Sequence, residues 1–197
     1  MRVLVATTNL GKIREFRDIF PSKIQILSLK DLDINIDVNE DGETFRENAL
    51  KKAKEYYEIS NIPTISEDSG LVVDFLNGEP GILSARYGGK DLNDDQRVDL
   101  VLKNMNGVES KQRSARFVSI ICGIGFYNYP LFSEGIMEGF ISDSKEGVNG
   151  FGYDPIFMPI GVNKTTASMS KHEKNNISHR RKSIDEFLKM LITDKII

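Results

Sequence analysis

The first twenty residues combine a β-branched run with a helical pattern, and this combination restricts the fold class more than any other feature. The run "RVLVAT" (residues 2–7) is typical of a central strand, and Asn9-Leu10-Gly11 interrupts it. The following "KIREFRDIF" (residues 12–20) has the apolar spacing of a helix. A strand, a short turn and a helix in succession predict an α/β fold.

Strand and helix patterns continue along the chain. Further strands are predicted at "KIQIL", "PTISE", "LVVDFL", "RSARFVSIICGIGFY" and "LFSEGIMEGFIS", the last two as an antiparallel hairpin. Asp68-Ser69-Gly70 is expected to break the chain between the second and third of these strands. Helices are predicted over residues 45–60, with Thr44 and Glu47 as a capping box, over residues 93–105, and over residues 179–191 with Ser178 as N-cap. The order predicts a mixed sheet with helices on its faces.

Composition and charge exclude several classes of protein. The chain of 197 residues is long enough for one domain or a two-lobed unit, and it contains no signal-like or membrane-spanning run, so a cytoplasmic protein without a membrane partner is expected. The single cysteine, Cys122, cannot form an internal disulfide and has no zinc-site spacing around it. The net charge of −3 gives no general attraction to nucleic acid, so no nucleic-acid partner is expected.

Charge is unevenly distributed along the chain. Residues 31–47 carry seven acids and one base, whereas residues 164–182 carry six bases and one acid. Both segments could be solvated surface, or they could form a cation site and an anion site.

A phosphate-binding loop is the first candidate site. Thr7, Thr8, Asn9 and Lys12 lie where the first strand ends and the first helix begins, and such positions offer backbone N–H groups and a positive dipole to phosphate. The segment lacks the spacing of a Walker A loop. An ordinary strand-to-helix connection is the alternative interpretation.

Three acids form the second candidate site. Glu40, Glu67 and Asp68 offer the hard oxygen ligands that Mg²⁺ prefers, with Mn²⁺ as the second choice, and no His/Cys cluster favours a softer metal. Alternatively, Glu67 and Asp68 only begin a turn, although a turn requires one such acid rather than two.

Two later segments carry further candidates. In "GFGYDP" (residues 150–155), Phe151 and Tyr153 could stack on a flat ring, and Asp154 could accept from a base or support the loop; simple packing is the alternative. In "KHEKNNISHRR" (residues 171–181), His179 and Arg180 at a helix start are candidate donors to a phosphate or a purine edge, unless the segment is a solvated basic turn.

Taken together, six segments resemble the Ham1-type nucleoside triphosphate pyrophosphatases, also called inosine triphosphate pyrophosphatases. They are "TTNLGKIREF", "ENALKKAK", "SEDSGLVVD", "GEPGILSARYGG", "GFGYDPIF" and "SHRRK", in the family's order and spacing over nearly the whole chain. The resemblance implies an elongated α/β protein in which a mixed β-sheet flanked by helices forms two lobes with a central nucleotide cleft. Residues 1–197 would be one such domain, and the protein would be a homodimer.

The resemblance also implies a reaction and a set of site residues. Deaminated purine triphosphates (ITP, dITP and XTP) would be hydrolysed to the monophosphate and pyrophosphate. Asp68 would be the general base, and Glu40 and Asp68 would bind the metal. The implied substrate-binding residues are Thr7, Asn9, Lys12, Lys52, Ser69, Phe151, Gly152, Tyr153, Asp154, Lys174, His179 and Arg180, beside Thr8 from the loop.

Glu67 departs from the family pattern, because many bacterial members carry Asp at this position. It could bind the metal directly, bind it through water, or orient a lysine and a water. Two other classes of protein compete with the family assignment. The first is another nucleotide pyrophosphatase: a Maf-like enzyme would not be expected to carry "GFGYDP" followed by "SHRR", and the many β-branched strands disfavour an all-α enzyme. The second is a non-catalytic nucleotide- or RNA-binding module, which would not require Asp68.

Overall fold

The protein has a mixed α/β fold. The computed structural model describes residues 1–196, which contain strands β1 (Arg2–Val5), β2 (Gln25–Ser28), β3 (Thr64–Val73), β4 (Ser114–Ile124), β5 (Leu131–Ile141) and β6 (Phe157–Pro159). The helices are α1 (Leu10–Ile19), α2 (Phe45–Ser60), α3 (Asp94–Asn104), α4 (Lys171–Ile177) and α5 (His179–Thr193). The strands form one sheet in the order β2-β1-β3-β4-β5-β6, which confirms the predicted fold class.

The N-terminal strand–turn–helix lies where the sequence predicts it. β1 is parallel to both of its neighbours, β2 and β3, with Val3 opposite Ile26 in β2 and Val5 opposite Ile65 in β3. The return of the chain through α1 between β1 and β2 is the usual crossover for parallel strands. The carboxyl end of β1 therefore leads directly into the start of α1.

The predicted break at Asp68-Ser69-Gly70 is wrong. Strand β3 runs without interruption from Thr64 to Val73, and nearly all of its residues are buried. The turn preference of Asp, Ser and Gly is a local effect, and pairing of β3 with strands on both sides outweighs it.

The later elements are partly as predicted. β4 and β5 are adjacent in the sheet, and α2 and α3 both begin with complete capping boxes. The sequence analysis missed β6, which pairs antiparallel with β5, and α4, which Ser170 caps. Ser178 directly precedes α5, and it also ends α4.

The chain divides into two compact units, each with its own apolar core. Unit 1 comprises Met1–Asp68, Ser119–Gly135 and Arg180–Ile197, and unit 2 comprises Ser69–Val118 and Ile136–His179. Side chains from β1, α1, β3, β4 and α5 fill the main core of unit 1. Side chains from β3, α3, β4, β5 and β6 fill the core of unit 2. Within residues 1–196, no helix is long and apolar enough to cross a membrane.

Candidate active site

Strand β3 directs Asp68 towards helix α2. Asp68 Oδ2 accepts a hydrogen bond from Asn48 Nδ2 at 3.2 Å. The Lys52 ammonium lies 3.6 Å from Asp68 Oδ1 and 3.0 Å from Glu40 Oε1, and it donates to the Glu67 carbonyl oxygen at 2.9 Å. The structure thus brings together Glu40, Lys52 and Asp68, which the sequence places in three separate segments.

The neighbouring acid, Glu67, faces the other way. Successive side chains of a strand alternate between its two faces, so Ser66 and Asp68 face α2 while Ile65 and Glu67 face α1 and α5. Glu67 Oε1 accepts from Arg180 Nε at 2.8 Å and from Ser119 Oγ at 2.7 Å, and Glu67 Oε2 lies 3.2 Å from the Lys12 ammonium. The two adjacent carboxylates therefore have different hydrogen-bond partners.

Burial shifts the pKa values of two groups at this site. Burial raises the pKa of Asp68, although the positive charges of Lys52 and Lys12 oppose the rise. Burial also lowers the pKa of Lys12, against the opposing effect of Glu67. Perturbed pKa values caused by burial next to specific charges are typical of catalytic sites, and a carboxyl with a raised pKa is a stronger base once ionised.

The loop before α1 is held by its own side chains. Asn9 Oδ1 accepts from the backbone N–H groups of Gly11 at 2.8 Å and Lys12 at 3.1 Å, so Asn9 is the N-cap of the helix. The backbone N–H of Asn9 donates to Thr7 Oγ1 at 3.2 Å. Thr8 and Asn9 are exposed. The capping fixes the direction of the first turn of α1, which carries Lys12.

Unit 2 contains a second polar cluster, centred on Asp154. This carboxylate is 2 % exposed. Its Oδ2 accepts from the Phe151 backbone N–H at 2.8 Å and from the Lys174 ammonium at 2.6 Å, and its Oδ1 accepts from Thr166 Oγ1 at 2.8 Å. Gly150 has a φ of +78°, and a Cβ there would lie 2.0 Å from Asp154 Oδ2, so a side chain at this position would displace the carboxylate. Of the two roles predicted for Asp154, these contacts favour support of the loop.

The aromatic residues of the same loop differ in their surroundings. Tyr153 is buried and donates through its hydroxyl to the Ser84 carbonyl oxygen at 2.9 Å, and burial raises the pKa of Tyr153. Phe151 is half-buried, and the Lys174 ammonium lies 4.8 Å from its ring centroid. Gly152, which separates Phe151 and Tyr153 in the sequence, is half-buried with a φ of +58°. Phe151 is therefore the better candidate to stack on a purine, while Tyr153 anchors the loop.

His179 and Arg180 are adjacent in sequence but make different contacts. His179, in unit 2, is buried and stacks on Phe117 with ring centroids 4.8 Å apart. Arg180, in unit 1, is 1 % exposed and pairs with both Glu15 and Glu67. Burial alone would lower the pKa of Arg180, but the two carboxylates raise it. The donor role predicted for both residues is therefore better suited to His179.

Comparison with known proteins agrees with the resemblance found in the sequence. A family model described as the Ham1 family matches residues 3–190. The chain belongs to the Ham1 family. A dITP/XTP pyrophosphatase of Oceanobacillus iheyensis is 43 % identical over 194 residues, covering 98 % of each chain. A dITP/XTP pyrophosphatase of Leptospira interrogans is 41 % identical over 195 residues, again with 98 % of each chain covered.

A solved structure is similar as well. The Ham1 protein of Staphylococcus aureus superposes with a TM-score of 0.88 at 39 % identity, covering 98 % of this chain and 100 % of that protein. The structural similarity to a Ham1 protein agrees with the family match over residues 3–190.

The oxygen ligands of this Ham1-family chain suit a hard cation. Among residues 1–196, no three His, Cys, Asp or Glu side chains cluster in a way that could hold a metal by themselves. Glu40 and Asp68 nevertheless both reach one ammonium, that of Lys52, so two carboxylates converge on a position of positive charge. Mg²⁺ typically takes one or two carboxylates and completes its shell with water and substrate phosphates. The donor set fits such an ion.

Four residues of this Ham1-family chain that contact the candidate site residues were not among the predicted site residues. Asn48 lies one helical turn before Lys52, and that spacing could have indicated a shared face. Glu15 lies three residues after Lys12 and could have been noted as an acid within a buried helical pattern. Ser84 lies in the quoted segment "GEPGILSARYGG", but neither Ser84 nor Thr166 carries a local signal for its contact with the loop of unit 2.

Proposed function

We propose that this chain is a nucleoside triphosphate pyrophosphatase that hydrolyses ITP, dITP and XTP to the monophosphate and pyrophosphate. The observation that carries the proposal is the buried Asp68 carboxylate beside Lys12, Lys52 and Glu40, in a chain that belongs to the Ham1 family. The relatives at 41–43 % identity that are named dITP/XTP pyrophosphatases support the choice of substrates. Hydrolysis of the α–β phosphoanhydride bond calls for a base and for cationic groups that contact the phosphates, and selectivity calls for contacts that distinguish one base from another.

Unit 1 carries the groups proposed to act on the triphosphate. Lys12 and Lys52 supply ammonium groups for phosphate oxygens, and the capped loop of Thr7, Thr8 and Asn9 adds hydroxyl and amide donors. Asp68 accepts a proton from the water that attacks the α-phosphorus, while the α–β phosphoanhydride bond breaks and pyrophosphate leaves. The Asn48 amide donates to Asp68 Oδ2 and so keeps the carboxylate in one orientation. Asp68 can act in this way because Lys52 and Lys12 stabilise its ionised form against burial.

Glu40 and Asp68 are the proposed ligands of a divalent cation, Mg²⁺ first and Mn²⁺ second. When bound, the ion would supply positive charge for the phosphate oxygens and lower the pKa of a coordinated water. Glu40 reaches this position from the acidic segment before α2, where Lys52 pairs with it.

Unit 2 carries the groups proposed to select the purine. Asp154 and Lys174 hold the loop that presents Phe151 for stacking, and Gly152 is proposed to allow a close approach of the backbone to the base. His179, fixed by stacking on Phe117, would donate to the 6-keto oxygen, and Ser69 follows the base Asp68 on β3. Adenine has an amino group in place of the 6-keto oxygen, so it would place a donor against the His179 N–H. The unpaired buried donor would cost about 1–3 kcal/mol.

Substitution of Asp68 tests the catalytic part of the proposal. Asp68→Asn keeps the size of the side chain and one oxygen to accept from Asn48, but it removes the base, so pyrophosphate release from ITP should fall at least about a hundredfold. Asp41→Asn is a matched control, because Asp41 also pairs with a lysine of α2, Lys51, at an exposed position. Retention of wild-type turnover by Asp68→Asn would refute the role, and a wild-type protein that binds ITP without turnover would indicate the non-catalytic module instead.

Substitution of His179 tests the selection of the purine. His179→Phe keeps a ring that can stack on Phe117 and removes the N–H donors. The ratio of kcat/KM for ITP over ATP should fall by about tenfold, because about 1.4 kcal/mol corresponds to a factor of ten. An unaltered ratio would exclude His179 as the donor.

Three further properties complete the proposal. We infer that residues 1–197 act as one domain of two lobes, since the family model extends over residues of both units. A homodimer is expected from the family resemblance, and a cytoplasmic location is expected from the sequence patterns. Sedimentation of the purified protein tests the homodimer, and fractionation of cells tests the cytoplasmic location.

A further inference from the structure

Glu67 is a buried carboxylate that the proposed chemistry does not use. It is 1 % exposed; Arg180 and Ser119 hydrogen-bond to its Oε1, and the Lys12 ammonium forms an ion pair with its Oε2 at 3.2 Å. A carboxylate at this depth is tolerated only if opposite charges and hydrogen bonds replace its lost hydration. The cluster around it is thus a built arrangement rather than a chance surface contact.

The partners of Glu67 are themselves fixed. Arg180 of α5 pairs with Glu15 of α1 as well as with Glu67, so the cluster holds two acids and two bases in balance. Ser119 Oγ of β4 lies 2.8 Å from Ser183 Oγ, which donates to the Arg180 carbonyl oxygen at 3.0 Å. These contacts therefore fix the position of the Glu67 carboxylate without a contribution from Lys12.

Among the partners of Glu67, Lys12 is the one whose charged group is most restricted by a fixed carboxylate. A lysine carries its charge on a flexible four-carbon chain, and a fixed carboxylate restricts the positions of the ammonium. Lys12 follows the capped start of α1, where the proposed triphosphate-binding loop lies. We infer that Glu67 is a positioning residue that holds the Lys12 ammonium in place for the triphosphate. This inference rests on the proposed function of the site.

The contacts favour this role over that of a metal ligand. Arg180 and Ser119 contact Glu67 Oε1, and Lys12 contacts Glu67 Oε2, so each oxygen already has a donor or a cation beside it. Strand alternation also directs the side chain of Glu67 to the opposite face of β3 from Asp68. Glu40, in contrast, reaches Lys52 together with Asp68.

Titration calorimetry with inorganic tripolyphosphate, in EDTA so that no metal is bound, tests the inference. Glu67→Gln should weaken binding by about tenfold, since a charged partner is lost while the size is kept. Lys12→Met should weaken binding at least as much, and Glu67→Gln should have no further effect in the Lys12→Met protein. A Glu67→Gln protein that binds as tightly as wild type in EDTA, or an equal additional loss in the double variant, would overturn the inference.

Two buried serines provide a matched control for general destabilisation. Ser119 and Ser133 both hydrogen-bond to Ser183, but of the two only Ser119 is hydrogen-bonded to Glu67 among the contacts of residues 1–196. Ser119→Ala and Ser133→Ala should lower the melting temperature similarly, and Ser119→Ala alone should weaken tripolyphosphate binding, by about threefold. Equal weakening by both variants, or by neither, would contradict a positioning role.

The result is distinguishable from failure of the proposed function. Tripolyphosphate binding is measured without catalysis, whereas the proposed function is tested by release of pyrophosphate from ITP. If wild-type protein binds tripolyphosphate and the double-variant pattern holds but ITP is not hydrolysed, Glu67 positions Lys12 in a protein with a different reaction.

Discussion

Replacement of Asp154 by asparagine should destabilise the protein strongly, although the two side chains have nearly the same shape. The Asp154 carboxylate accepts from the Phe151 backbone, from Lys174 and from Thr166, at distances of 2.6–2.8 Å. Asparagine has one side-chain oxygen where aspartate has two. Its NH2 group would therefore face Thr166 on one side, or Lys174 and the Phe151 N–H on the other. Lys174, which is also buried, would lose its counter-charge.

The expected magnitude follows from the burial of this ion pair. Both side chains are less than 10 % exposed, and removal of one partner from a buried pair costs about 3–5 kcal/mol. Taking about 3 kcal/mol, because asparagine retains one acceptor, the melting temperature of a chain of this size should fall by about 6–12 °C. The KM for ITP should also rise, since the Phe151 loop loses its support.

Thermal unfolding followed by circular dichroism at neutral pH measures the effect. Asp143→Asn serves as the control, because Asp143 also pairs with an arginine of unit 2, Arg113, but its side chain is 84 % exposed. Exposed ion pairs contribute little, so the control should melt within about 2 °C of wild type. Equal melting temperatures for Asp154→Asn and Asp143→Asn would refute the argument from burial.

Two further predictions concern the same unit. Tyr153→Phe removes the hydrogen bond to the Ser84 carbonyl and should cost about 1–2 kcal/mol in unfolding free energy while the ITP-over-ATP preference stays the same, and a changed preference would mean that the hydroxyl contacts the base. Glu173 is in the capping box of α4, and its hydrogen bonds to Lys164 and Ser170 lower its pKa from 4.5 to about 2. Because the folded pKa lies below the unfolded one, the stability from Glu173 is present above about pH 5 and is lost as the pH falls towards 2. The difference in melting temperature between wild type and Glu173→Gln should therefore narrow over this range, and a difference independent of pH would contradict the assignment.

Local patterns predicted the elements whose signals are themselves local. The strand–turn–helix start and the capping box of Thr44 and Glu47 are where the sequence places them, because periodicity and caps act within a few residues. Helix α4 was missed even though Ser170 and Glu173 have the spacing of a capping box, since the helix itself is only seven residues long.

Pairing between distant segments explains what the sequence could not predict. The continuity of β3 through Asp68-Ser69-Gly70 depends on its neighbours in the sheet, which no local preference reports. Glu67 and Arg180 are 113 residues apart in sequence, and their contact follows from the packing of α5 in unit 1. The roles of the site residues stay predictions, whereas the family and the fold are established.

Release of pyrophosphate from a panel of nucleotides distinguishes a pyrophosphatase for deaminated purine triphosphates from a phosphatase or a nucleotide-binding protein. Wild-type protein with Mg²⁺ is incubated with ITP, dITP, XTP, GTP, ATP and dUTP, and phosphate and pyrophosphate are measured separately. We expect pyrophosphate to be released, fastest from ITP, dITP and XTP, and we expect the Asp68→Asn protein to lose this release. Release of orthophosphate, or equal rates for ATP and ITP, would contradict this expectation.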